Sequence, residues 1–126
     1  MPRSNLALAF TLILSACSGS EEAAAPVSPE LQEQRELASL ADDLRNVIDE
    51  HPGKCKAMGE ALNTWYTAHG ARFDELRKRH TKLPGDEWGR WNRMLQAINR
   101  GQTCVGNPIL GMDDPQVKRV LGALAL

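Results

Sequence analysis

Seven residues between positions 55 and 76, Cys55, Met58, Leu62, Trp65, His69, Phe73 and Leu76, recur in steps of three and four. At 100° per residue they fall within an arc of about 80°, a pattern that one face of an α-helix presents and a strand cannot. The same spacing recurs along the chain. Leu37, Leu40, Ala41, Leu44, Val47 and Ile48 form one stripe, Trp88, Trp91, Leu95 and Ile98 another, and Val117, Val120, Leu121 and Leu124 a last short one. No stretch sustains the alternation of a half-buried strand. The expected fold class is therefore all-α, a small four-helix bundle.

The segments between the stripes carry helix stop and start signals. Ser28-Pro29 offers a capping hydroxyl followed by proline at the first helical position. "HPGK" at 51–54 ends the first helix, because Pro52 lacks an amide hydrogen and crowds the preceding turn. "TKLPGD" at 81–86 reads as a loop, with Asp86 as the expected cap of the third helix and Gly101 its stop. Asn107-Pro108 falls in a further loop, and Asp114-Pro115 opens the last helix. Gly59 and Gly70 sit inside the second helix, each costing up to roughly 1 kcal/mol against alanine, and Gly70 is a candidate kink.

The first thirty residues have another character. Arg3 precedes "LALAFTLIL" at 6–14, a run of nine residues with no charge. A spanning helix needs roughly 20 apolar residues. A basic start, a short apolar core and then small residues is the layout of a secretory signal. "LSAC" at 14–17 resembles the lipobox of bacterial lipoproteins. The resemblance covers the first seventeen residues only, and no family resemblance extends to the body of the chain. It implies cleavage before Cys17, diacylglycerol on the Cys17 thiol and acylation of the new N-terminus. Ser18, where inner-membrane lipoproteins of that family usually carry Asp, implies sorting to the periplasmic side of an outer membrane. "SGSEEAAAPVSP" at 18–29 has no large apolar side chain except Val27, too little to offset the entropy of ordering. It fits a flexible tether reaching some tens of ångströms or less. The expected organisation is thus a leader over 1–16, a lipidated cysteine and linker over 17–29, and a helical domain over 30–126.

The lipobox also bears on the remaining cysteines. Of Cys17, Cys55 and Cys104, it consumes the first, and an oxidising compartment favours a disulfide between the other two. Closing a loop of roughly 50 residues stabilises by about 4 kcal/mol in the chain-entropy view. Cys55 starts the second helix and Cys104 follows the third, ends that an antiparallel pair brings together. The third helix is the shorter, so the loop must supply part of the return. The alternative is a metal site shared with His51, an incomplete set with no Cys-x-x-Cys pair.

No catalytic motif is present: neither Gly-x-Ser-x-Gly nor His-Glu-x-x-His occurs. Asp42/Asp43, Asp49/Glu50, Asp74/Glu75, Asp86/Glu87 and Asp113/Asp114 are adjacent pairs, and neighbours on a helix point about 100° apart. They suit solvated faces and caps better than acid–base work. His51 suits a helix C-terminus, and His80 closes the run "RKRH". His69 lies on an apolar stripe with Met58, which raises haem ligation. Eleven residues separate the two by about 16 Å along a helix, too far to share one iron. A packed core or rim histidine is the simpler expectation, and no cofactor is expected.

Charge is distributed unevenly. Loss of Arg3 with the leader takes the formal net charge from −1 to −2. Residues 30–50 hold seven acidic and two basic side chains, net −5, while residues 72–100 hold eight basic and four acidic, net +4. The basic segment includes Arg77, Lys78, Arg79, Lys82, Arg90 and Arg93, and Trp88 and Trp91 stand among them. All three tryptophans occur at core spacing, with Trp88 or Trp91 a candidate for the rim. The charges either pair within the fold or face a partner. Outside the cell that partner is a protein or an anionic envelope component rather than nucleic acid. The sequence reading is a lipid-anchored, non-catalytic envelope module that uses Arg77, Lys78, Arg79, Trp88, Arg90, Trp91 and Arg93. The alternative is a carrier of haem, metal or an apolar ligand within the bundle, near His69 and Met58.

Overall fold

The computed structural model describes residues 27–126. The leader, Cys17 and most of the linker lie outside the described residues. Four α-helices and no strand are present among them: α1 (Pro29–Asp49), α2 (Cys55–Arg79), α3 (Gly85–Gly101) and α4 (Pro115–Leu124). Short 3-10 turns occur at Gln102–Cys104 and Pro108–Leu110. No helix among the described residues is long and apolar enough to cross a membrane.

The capping signals act where the sequence places them, with one exception. Ser28 Oγ accepts from the Leu31 amide at 3.1 Å. Asp114 Oδ1 accepts from the amides of Gln116 and Val117 at 2.9 and 3.0 Å, which satisfies two orphan donors of α4. The exception is Asp86. The residue preceding α3 is Pro84, and Asp86 lies inside the first turn with Glu87, where both carboxylates face the positive end of the helix dipole. The helix starts earlier because the Pro84 carbonyl already accepts from Glu87 and Trp88. The second helix runs unbroken through Gly59 and Gly70.

The helices run up, down, up and down. Glu33 reaches His80 and Glu36 reaches Arg72, so α1 and α2 are antiparallel. Asp42 reaches Arg90 and Asp49 reaches Arg100, so α1 and α3 are parallel. Arg119 of α4 bonds Asn63 of α2, and Asp114 lies beside Gly59, so α4 runs alongside α2 in the same direction. Close backbone packing joins α1 to α3, α2 to α4 and α1 to α2. The expected close α2–α3 pair is therefore corrected: these helices are antiparallel but meet through large side chains, because α1 packs on both and lies between them. The mean planes of Phe73 and Trp91 stack at 12° with ring centroids 5.6 Å apart.

Cys55 and Cys104 form a disulfide with Cα atoms 5.4 Å apart. The length mismatch between α2 and α3 is absorbed by the 3-10 turn Gln102–Cys104, which carries the chain on from Gly101. Residues 80–84 make up the rest at the other end.

The core contains the α1, α2 and α4 stripes nearly as read, with two departures. Val47 is only half-buried, and His69 is exposed rather than packed. Its ring leans on Trp65 at 5.9 Å, on the solvent side of the stripe. The third helix departs most. Its buried positions are Met94, Ala97, Ile98 and Gly101, whereas Leu95 and Trp91 are half-buried and Trp88 is 53% exposed. Small residues explain this rotation. A Cβ at Gly101 would lie 3.4 Å from Leu121 and 3.6 Å from Ile48, so α1 and α4 both close on that position. The face that permits near approach turns inward, and the wide indole of Trp88 is left at the rim.

Candidate functional site

The two ends of the bundle differ. At one end, which we call the linker end after the expected linker that leads into α1, α1 begins and α2 passes to α3. At the other, about 30 Å away along α1, lies the disulfide.

At the linker end α2 stops at Arg79, and the His80 amide makes the last helical bond to Leu76. A cleft of about 220 Å³ opens beneath, walled by Arg77, His80, Leu83, Trp88, Trp91 and Leu126. Its floor is rigid. Trp91 stacks on Phe73, and Phe73 meets Trp65 edge-on with centroids 5.5 Å apart. Such aromatic pairs add about 0.5–1.5 kcal/mol beyond their burial. Trp88 stands at the mouth of the cleft.

Most of the basic segment is already paired. Arg79 bonds Glu33 at 3.0 Å, and the largely buried ring of His80 bonds the other Glu33 oxygen at 2.7 Å. Arg72 grips Glu36 with two nitrogens, at 2.9 and 2.8 Å. Arg77 and Lys78 share Asp74, at 2.6 and 3.1 Å. Arg90 turns from the cleft to Asp42 at 2.7 Å, and Arg100 bonds Asp49 at 2.8 Å. The acidic α1 thus lies between the two basic helices and neutralises much of their charge. The hydrogen bond with His80, assisted by Arg79, holds the Glu33 carboxyl below its ordinary range. The Arg72 fork does the same for Glu36, and Lys78 with Arg77 for Asp74. Arg72 is correspondingly held more firmly in its charged form by Glu36 and Glu75.

The structure therefore divides the residues that sequence reading grouped. Arg77, Trp88 and Trp91 come together around the cleft. Lys78 and Arg79 are exposed on the outside of α2, and Arg90 belongs to the α1 contact. Arg93 is exposed and lies along α3 with a guanidinium nitrogen over Gly89. Among the described residues, neither Arg93 nor Lys82 has an ion-pair partner.

A second cleft, of about 670 Å³, opens at the disulfide end between the α1–α2 turn and the end of α3, with Met58 in its wall. Met58 and His69 are not brought together, since one unbroken helix holds them eleven residues apart. Cys55 and Cys104 are committed to each other, and His51 Nδ1 lies 2.8 Å from the Val47 carbonyl. No cluster of three or more His, Cys, Asp or Glu among the described residues is arranged to hold a metal.

Comparison with protein-family models, curated proteins and solved structures finds no match to this chain.

Sequence reading missed the contributions of His80, Leu83 and Leu126 to the cleft. It also missed Ile109 and Leu110, which are 96% and 73% exposed at the disulfide end. The signal for that pair was present: "NPILG" sets two large aliphatics between turn residues, outside any helical register.

Proposed function

We propose that this chain is a lipid-anchored, non-catalytic protein of the bacterial envelope, tethered through Cys17 and placed on the periplasmic side of an outer membrane. Its bundle binds a protein or an anionic envelope component at the linker end. The observation that carries this reading is the cleft there: Trp88 is exposed over an aromatic floor, and Lys82 and Arg93, exposed cations of the same segment outside the cleft's lining, have no ion-pair partner among the described residues. Trp and Arg in such settings supply a large share of interface energy. A non-catalytic role is supported by how the carboxylates are used. Asp42, Asp49, Asp74 and Asp114 serve ion pairs or a cap, and the shifted carboxyls are held ionised rather than poised near neutrality.

Two measurements test the two halves of the proposal. The intact mass of the protein taken from its host's membranes, alkylated without reduction, should begin at Cys17 with acyl chains and carry no alkylated thiol. An unlipidated chain rejects the anchor. Trp88→Ala combined with Lys82→Glu and Arg93→Glu should weaken retention of the unanchored Cys17→Ser chain on host envelope fractions at least tenfold. Unchanged retention rejects the cleft as the binding face.

A further inference from the structure

At the disulfide end, residues 105–114 fold into a pinned loop rather than a loose connection. Asn107 and Met112 exchange backbone hydrogen bonds of 3.3 and 2.9 Å. The Gly106 amide donates to Asp113 Oδ1 at 2.8 Å, and the Asn107 side chain donates to the Thr103 carbonyl at 3.0 Å. The Asp114 amide donates to the carbonyl of disulfide-bonded Cys104 at 2.9 Å. Gly111 closes the turn at φ +69°, a conformation that disfavours other residues. This frame holds Ile109 and Leu110 side by side in solvent. A lone exposed leucine is ordinary, but two neighbouring aliphatics at the tip of a rigid loop form an anchor whose ordering cost is already met on folding.

We infer that the disulfide end is a self-association surface, in which Ile109 and Leu110 of one copy seat in the Pro52–Met58 cleft of a second copy, and reciprocally. The cleft has an apolar wall of Ile48, Pro52 and Met58, and about 670 Å³ is room for two aliphatic side chains. Thr103 lines that cleft, and its carbonyl also holds Asn107, so the root of the knob is a wall of the pocket. Knob and pocket are thus neighbours on one surface, and a two-fold axis between them delivers each knob to the other copy's pocket. That is the isologous arrangement in which one patch is self-complementary. The exposure of Ile109 shows that the knob does not occupy its own cleft.

Charge favours the same pairing. Asp113 is exposed at the knob's base, while Lys54, next to Gly53 of the cleft wall, is exposed without an ion-pair partner among the described residues; Asp49 and Arg100, which also line the cleft, pair with each other. Two-fold exchange sets each acidic base against the other copy's Lys54, which assists encounter and fixes register. The linker enters at the opposite end of the bundle, which directs the knob away from any membrane that holds the chain. This inference is independent of the function proposed for the linker-end cleft.

The test is photo-cross-linking of the full chain in its host's membranes, with p-benzoylphenylalanine in place of Leu110. The expected product is an adduct of twice the chain mass whose linked peptide contains residues 46–58 of the second copy. Adding Lys54→Glu should lower its yield at least threefold, with the helical circular dichroism unchanged. Cross-links confined to one chain, to lipid or to a different protein overturn the inference. So does a dimer adduct mapping elsewhere, or one indifferent to the Lys54 substitution.

Discussion

Gly59 of α2 lies directly against Asp114, the residue that caps α4. A Cβ at Gly59 would fall on the Asp114 carboxylate, with its Cγ at 2.9 Å and Gln116 Cβ at 3.0 Å. The missing side chain, a cost to helix propensity when α2 is considered alone, is what lets the start of α4 dock.

Gly59→Ala should therefore destabilise the domain by about 1–3 kcal/mol, although alanine is the better helix former. Asp114→Ala should cost about 0.5–2 kcal/mol through loss of the cap. Combined, they should cost less than the sum, because removing the carboxylate relieves the clash. Urea unfolding of the three variants measures the coupling, and strict additivity would contradict the contact.

Two aromatic residues that sequence spacing treats alike should behave oppositely. Phe73 is fully buried between Trp65 and Trp91, so Phe73→Ala should cost about 3–5 kcal/mol. Trp88 is half in solvent, and Trp88→Ala should change stability by no more than about 0.5 kcal/mol. Thermal melts of both variants give the comparison.

The Cys55–Cys104 bond spans a sequence separation of 49 residues. Chain entropy puts its contribution near 4 kcal/mol, a large part of the stability of a domain this small. The double variant Cys55→Ala, Cys104→Ala should lose about 2–4 kcal/mol and keep its helical circular dichroism under native conditions. The loss is read from denaturant midpoints against the oxidised chain.

Acid should weaken the domain through carboxyls on α1 and α2. The carboxyls of Glu33, Glu36 and Asp74 all have folded pKa values below their ordinary 4.5, 4.5 and 3.8. The folded state thus favours their ionised forms. The stability they add is complete above the ordinary values and is lost as pH falls through the lowered ones. The denaturation midpoint should be level from neutrality down to roughly pH 5 and then fall. Glu33→Gln with Glu36→Gln should flatten the fall, and an unchanged acid limb in that variant would count against these ion pairs.

Helix positions were legible because they follow from local rules. Ser28, Pro29, Asp114 and Pro115 act through atoms within a few residues of themselves. The stripes on α1, α2 and α4 are built of side chains that fit the core at their spacing. The stripe on α3 misled because spacing does not weigh size: Ala97 and Gly101 admit close approach, and Trp88 and Leu95 are equally spaced but too large for that side. His69 misled for a related reason. Spacing gives an angle around a helix but not how far along it the neighbours extend.

The sequence by itself determined the helical class, the number and approximate ends of the helices, and the cysteine pair available for bonding, because propensity, capping and periodicity are short-range. Tertiary structure alone decided which carboxylate answers which cation. Glu33, Glu36, Asp42 and Asp49 meet partners 36 to 51 residues away, at distances set by helix packing. It likewise decided that α1 lies between α2 and α3, that Trp88 faces solvent while Trp65 does not, and that Ile109 and Leu110 stand beside a cleft. Each of these depends on how several helices share one volume, and no spacing within a single helix encodes that competition.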